Sequence, residues 1–418
     1  MYLQSLRLTN IRCFADTALN FDVPGADNRK WTVLLGENGT GKSTVLQAIG
    51  AVMGGSDALI DLVRDPAAWI RGDADAGRIE AVISTKTDQP RHIALEFRRD
   101  DTPSSFLARS LQTLEPLNNA LSHAIRNYPA FAYGSSRRLA QTQGLEPRRR
   151  FGHPRANAMA SLFDRDAPLN PLEQWAMKLD YATEGAQIDL IHRVMNDFLP
   201  DLTFAEIDKA RQVLLFDTPD GRVPLDRLSD GYQTVAAWIG DLLFQITEIW
   251  DDYQNPLHAR GLLLIDEVDL HLHPKWQRRL LQFLDRQLPN MQLVVTTHSV
   301  VTAQQSPEGA LHYCIRRDGP PVIERFDGVP GDLLLNQLMV TEAFGHVSDE
   351  SMSLEQEKAE YRSLARSATR SAEDSQRMTE IAARVDRVPS DPIEDIRLSP
   401  RQQELLSRMS AKLRGGSQ

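Results

Sequence analysis

Residues 36–43 read GENGTGKS: a glycine, four unspecified positions, a second glycine, a lysine and a hydroxyl residue. That order of residue types suits a cradle for phosphate. Glycines let successive backbone N–H groups close around an anion, and a helix starting at the end of the loop adds its positive dipole end. Gly36, Glu37, Asn38, Gly39, Thr40, Gly41 and Thr44 are the expected wrapping residues. Lys42 is expected to meet the β- and γ-phosphates, and the Ser43 hydroxyl to meet Mg²⁺. The ligand that this chemistry calls for is a nucleotide with Mg²⁺. A second segment, GLLLIDE at residues 261–267, sets an apolar run ahead of two carboxylates. A buried strand ending there would bring Asp266 to the Mg²⁺ water shell. It would stand Glu267 beside the γ-phosphate as general base for an attacking water.

Both segments need elements to hold them. WTVLLG, ending at Gly36, reads as a strand, and the pattern from Ser43 to about Met53 reads as an apolar helix. GLLLID and MQLVVTT, separated by a helix from Lys275 to Gln287, read as buried parallel strands of an α/β core. At the N-terminus LQSLRLTNIRCF alternates like one half-buried strand, and residues 78–98 read as two strands around a polar turn at Asp88, Gln89 and Pro90. A helical pattern covers residues 103–128, and FAYG at 131–134 reads as a short strand. Residues 135–160 are polar and Arg-rich, which predicts a loop or insertion. Residues 170–200 are helical, with Leu172, Trp175, Ile191 and Val194 among the apolar positions. Short strands are expected near 202–207 and 212–216, and a long helix over 231–250. From about Asp332 onward the chain looks helical, with Ser399 and Pro400 suited to start a last helix after a break near 387–392.

Two more segments join the phosphate loop and the acidic strand: LSDGYQT at 228–234 and VVTTHS at 294–299. Together with LLLIDEVDLHLHP at 262–274, they resemble the ABC ATPases of the RecF, SMC and OLD class, in order and in spacing, over roughly residues 1–330. The resemblance implies an ABC-type P-loop ATPase head of α/β class. Such a head has a mixed and parallel sheet core, N-terminal antiparallel strands and a helical lobe, here about residues 100–230, with a mostly helical C-terminal interaction region at 331–418. It also implies that Ser229 and Gly231 of the signature contact the γ-phosphate held by an opposite subunit. Asp269 falls in the D-loop and His298 on the switch histidine. ATP would then be sandwiched in a homodimer or higher homo-oligomer, and hydrolysis would release the heads. The residues agree in one respect, since Ser229 opens a helix whose N–H groups suit an anion. The signature has Asp-Gly-Tyr where transporters commonly have Gly-Gly-Gln, which disfavours a transporter subunit. Gln141 and Gln143 are the candidates for the glutamine that meets Mg²⁺ in the family. The stretch between Lys42 and Ser229 lacks the sustained heptads of a long coiled coil.

With 47 Lys and Arg against 57 Asp and Glu, the net charge of −10 argues against a surface that coats nucleic acid, while leaving room for a local basic groove. Arg137, Arg138, Arg148, Arg149, Arg150 and Arg155 form the clearest basic cluster; a solvated loop, a phosphate-binding patch and nucleotide contact by Arg137 or Arg138 are its three readings. Asp269, His271 and His273 alternate as metal ligands can, without a further ligand cluster, and His273 with Pro274 suits a helix start. The acids beyond residue 340 have no apolar strands to array them as a nuclease would. Cys13 and Cys314 offer neither metal spacing nor a disulfide framework. No apolar run approaches a membrane span and no signal segment is recognisable, so the expected place is the cytoplasm, away from membranes. FAYGSSRR and ASLFDRDAPLNPLEQW (160–175) add a resemblance to standalone ATPases of bacterial anti-phage systems, of the Septu and retron PtuA type. That resemblance implies a partner effector, commonly an HNH-type nuclease. A RecF-like repair or chromosome-maintenance ATPase binding DNA directly is the alternative.

Overall fold

The alternating N-terminal stretch folds as two strands rather than one. β1 (Tyr2–Ile11) buries Leu3, Leu6, Leu8 and Ile11, with an irregularity between Leu3 and Ser5 that resets the alternation. The chain reverses at Arg12, whose φ is +48°, and returns as β2 (Phe14–Asn20). This computed structural model describes residues 2–21, 30–84, 90–122, 128–137, 151–185, 187–199, 202–219, 221–249, 256–346, 351–366 and 371–385. Arg138, Gln141, Gln143, Arg148, Arg149, Arg150 and the segment after Ser399 lie outside them.

After β3 (Trp31–Gly36) come α1 (Lys42–Met53), α2 (Gly55–Leu62), β4 (Ala76–Ser84), β5 (Pro90–Arg98), α3 (Pro103–Ser122) and β6 (Ala130–Tyr133). Next are α4 (Pro154–Asn157), α5 (Ala160–Phe163), α6 (Leu172–Ala182), α7 (Ile188–Phe198), β7 (Thr203–Asp208), β8 (Val213–Thr218) and β9 (Gly221–Pro224). α8 (Asp230–Ile249), β10 (Gly261–Ile265), α9 (Pro274–Gln287), β11 (Met291–Thr297), α10 (Val300–Gln304), β12 (Leu311–Ile315) and β13 (Val322–Arg325) complete the first of two compact units, Met1–Pro330.

β2-β1-β4-β5 form an antiparallel sheet in that order. The main sheet runs β13-β12-β3-β11-β10-β6 and is parallel except for β13, and β7-β8-β9 form a small antiparallel sheet. α1 touches strands of both larger sheets and is buried nearly all round, which explains why its sequence shows no polar face. β12 and β13 extend the main sheet beyond the strands expected from sequence. The span 100–230 also contributes β6 to that sheet, so a main-sheet strand interrupts it. The predicted loop at 135–160 needs correction at its end: Phe151, Ala156 and Met159 are buried, and α4 and the start of α5 are helix within or next to it.

A buried polar network ties α8 to β6. Tyr133 donates its hydroxyl to Asp241 Oδ2 at 3.0 Å, while the Asn170 backbone and side chain donate to Asp241 Oδ1 at 3.0 and 2.6 Å. Burial raises the Asp241 carboxyl above the usual range, and these donors offset part of that cost. The second unit, Gly331–Gln418, contains α11 (Leu335–Met339), α12 (Met352–Arg366) and α13 (Ala372–Val385). α12 and α13 pair through Arg377, which donates to both Glu360 oxygens at 3.0 Å, and through Arg384 with Glu357 at 2.5 Å.

Candidate functional site

β3 delivers the chain to Gly36, and the phosphate loop closes before α1 begins. Gly41 sits at φ +99°, and a Cβ there would stand 2.5 Å from the Phe14 ring and 2.6 Å from Cys13 Sγ. Gly41→Ala is therefore expected to deform the loop. The backbone strain alone is about 1–3 kcal/mol, so affinity for a fluorescent ATP analogue should fall by about 10-fold or more. Unchanged affinity would mean that this backbone shape is not what binds nucleotide. Thr40 donates its hydroxyl to the Glu37 carbonyl at 2.8 Å, bracing the loop from within. Lys42 Nζ donates to the Gly36 and Glu37 carbonyls, both at 2.8 Å. Burial lowers its pKa, and Cys314 with Asp266, Glu267 and Glu37 counteracts. The ammonium is therefore already gathered at the loop and need only exchange carbonyl oxygens for phosphate ones.

The parallel register brings the ends of β3, β11 and β10 side by side. Ser43 Oγ donates to Asp266 Oδ2 at 2.7 Å. A hydroxyl oxygen and a carboxylate oxygen this close are the hard donors that Mg²⁺ takes, so the residues fit that ion. Thr296 Oγ1 donates to the other Asp266 oxygen at 2.6 Å and accepts the Glu267 N–H at 2.7 Å. Glu267 is half-buried and leaves the strand at φ +49°, a conformation rare for this residue type. Its charge reaches both Lys42 and His298 and opposes part of the lowering of each pKa.

Arg137 corrects one sequence reading. Its Nη2 donates to the Asp266 carbonyl at 2.5 Å and the Glu267 carbonyl at 2.8 Å, while Nε donates to Gly134 at 3.2 Å. The guanidinium thus engages protein backbone rather than standing in a solvated basic loop. Burial pulls its pKa down to about 10, with Asp266, Asp269 and Glu267 opposing. Arg155 is likewise largely drawn into the fold, donating to the Tyr128 carbonyl at 3.1 Å. Thr296 was overlooked in the sequence; its only signal was the Thr-Thr pair ending an otherwise apolar strand.

The Asp269, His271 and His273 side chains have separate roles. Asp269 accepts from Thr297 Oγ1 at 2.6 Å, His273 Nδ1 accepts the Lys275 N–H at 3.2 Å as the cap of α9, and His271 is an exposed residue at φ +63°. His298 follows β11, while Ser299 caps α10 and donates to Gln277 Oε1 at 2.7 Å. The His298 residue surface is open, yet desolvation of the ring and then Lys42 lower its pKa, with Glu267, Asp269 and Asp266 opposing. The imidazole therefore takes up its proton at lower pH than an ordinary histidine, with its value of about 6.5, which favours the neutral ring. If the neutral ring is the working form, turnover should stay flat from pH 7 down through 6.5 and decline below it. An inflection at or above 6.5 that vanishes in His298→Gln would contradict this.

Ser229 precedes α8, and its carbonyl accepts the Gln233 N–H at 3.1 Å. A Cβ on Gly231 would come 3.1 Å from the His271 carbonyl, and Tyr232 meets Trp276 edge-on at 5.5 Å. Among the described residues these signature contacts run to the segment after Glu267, and none of them reaches the phosphate loop. The structure thus gathers residues 36–44, Asp266, Glu267 and His298 at the adjoining ends of β3, β10 and β11, and leaves Ser229 exposed.

Three comparisons bear on this arrangement. Over 309 residues the chain is 24% identical to the Septu protein PtuA of Bacillus mycoides (strain KBAB4), covering 74% of this chain and 40% of that protein. It is 34% identical over 119 residues to the "Retron Ec83 probable ATPase" of Escherichia coli, covering 28% of this chain and 22% of the relative. The chain thus spans well under half the length of these relatives. Among solved structures, the SMC head bound to the C-terminal winged-helix domain of ScpA aligns with 78% of this chain and 98% of its own, at a TM-score of 0.50 and 15% identity, a likeness of fold. The fold is accordingly that of an SMC head, α/β with a mixed sheet and N-terminal antiparallel strands. Residues 31–303 match the family described as "AAA domain, putative AbiEii toxin, Type IV TA system", and the chain belongs to that family of ATPases.

Proposed function

We propose that the chain hydrolyses ATP at a Mg²⁺ site formed by Ser43 and Asp266, with Glu267 as general base. The observation that carries this reading is the 2.7 Å contact of Ser43 Oγ with Asp266 Oδ2, directly before Glu267 in the chain. Residues 36–44 would wrap the phosphates, Lys42 would neutralise the β- and γ-oxygens, and Glu267 would take a proton from the attacking water. Mg²⁺, when bound, would supply charge neutralisation across the β- and γ-phosphates. His298 would donate a ring N–H to a γ-phosphate oxygen as a neutral imidazole.

The exposed Ser229, standing apart from its own phosphate loop, supports a composite site in which one protomer's signature meets ATP on its partner. On this reading hydrolysis resets a head-to-head dimer that governs a separate effector, a nuclease being the first candidate. The similarity to Septu and retron ATPases favours a place in anti-phage defence. The purified chain should release phosphate from ATP, and EDTA should abolish that release. Native-host purification should bring down a nuclease. If no nuclease comes down and DNA stimulates turnover, direct DNA maintenance replaces the defence reading. Absence of ATP turnover under every one of these conditions would sink the hydrolytic proposal.

A further inference from the structure

We infer that Arg137 is a positioning residue for hydrolysis, setting the backbone of Asp266 and Glu267 from behind so that the carboxylate pair keeps its working geometry. The inference rests on the assignment of Glu267 as base.

The Asp266–Glu267 peptide is held on several sides. In front, Asp266 takes hydrogen bonds from Ser43 and Thr296. The Glu267 N–H is held by Thr296. Both carbonyls, at 2.5 and 2.8 Å, are held by one nitrogen of Arg137. Between these anchors Glu267 adopts φ +49°, which costs a residue with a Cβ roughly 1 kcal/mol or more and persists only when its surroundings impose it. The guanidinium that holds both carbonyls is half-buried, and among the described residues its hydrogen bonds go to main-chain carbonyls. β6 also aims this side chain, because Tyr133 accepts the Asp266 N–H at 2.8 Å and fixes the two strand ends together.

The test compares Arg137→Met, Thr296→Val and Glu267→Gln in the full-length chain, measuring kcat, ATP affinity and thermal melting. For Arg137→Met the expected result is a kcat lowered by about 10- to 100-fold, the range for removing a group that orients a metal ligand or its neighbour. ATP affinity should stay within about 3-fold, because the guanidinium hydrogen-bonds the Gly134, Asp266 and Glu267 carbonyls rather than residues of the phosphate loop. Added ethylguanidinium should restore part of the rate, and Thr296→Val should show the same split between kcat and affinity. Turnover within about 2-fold of the parent, or a loss of ATP affinity as large as the loss of kcat, overturns the inference. Should Arg137→Met fail to fold, Arg137→Lys is judged by the same split, since an ammonium cannot reproduce the planar arrangement that joins the Gly134, Asp266 and Glu267 carbonyls. Glu267→Gln separates the two ideas. If it turns over normally, the base assignment fails; if it is inactive while Arg137→Met is fully active, only the positioning role fails.

Discussion

The Glu267→Gln variant is expected to bind ATP with near-parental affinity and to hydrolyse it about 10²- to 10⁴-fold more slowly, the range for loss of a placed general base. The change removes one charge and keeps the shape. The Glu267 N–H still reaches Thr296 and its carbonyl still reaches Arg137, so the loop should stay in place. Because ATP would no longer be consumed, the nucleotide-bound dimer should accumulate. Light scattering after size exclusion would then report roughly twice the chain mass with ATP and Mg²⁺, and a single chain mass without them. Parental turnover would remove Glu267 from the mechanism. A slow enzyme that stays monomeric would keep the base and discard the sandwich.

Ser229→Arg should be nearly as severe for a different reason. The site is exposed, so the substitution leaves the core alone, and the protomer keeps its own loop with Lys42 and Ser43. A bulky cation would instead occupy the face offered to a partner. ATP binding should persist, while hydrolysis falls by at least about 100-fold, the scale for losing one donor to a developing oxyanion. A mixing experiment sharpens the point. Lys42→Ala, inactive alone, retains its signature, and Ser229→Arg retains its loop. A mixture of the two should recover activity through one intact composite site per mixed dimer. No recovery, with mixed dimers shown to form, would place Ser229 outside the reaction.

These effects were legible in the sequence to different degrees, for physical reasons. The phosphate loop announces itself because consecutive residues perform its task. Asp266 and Glu267 stand out because a wholly apolar strand ends in charge. Arg137 was visible as a residue but not as a contact, because its carbonyl partners lie 129 and 130 positions away and only the β6–β10 pairing joins them. Thr296 was hidden likewise, since its hydroxyl meets Asp266 through the β10–β11 register. β12 escaped notice because LHYCI carries a histidine and a tyrosine among its apolar residues, yet His312 is buried against the Ala310 carbonyl at 3.1 Å. Residues 151–160 look like a continuation of the arginine-rich loop in sequence, yet Met159 and Phe151 join the core that α1 and α2 build.

The enclosure of α1 between two sheets has a consequence for where exchange of amide hydrogens can occur. An opening that exposes its N–H groups must separate β4 and β5 from β3, β10 and β11, which approaches disruption of the whole unit. Its amides should thus be among the slowest to exchange, with or without nucleotide. The exposed start of α8 carries no such restraint, so protection gained on adding ATP should concentrate near Ser229. The helix behind the phosphates is the fixed reference of the molecule, and the signature is the part free to register a partner.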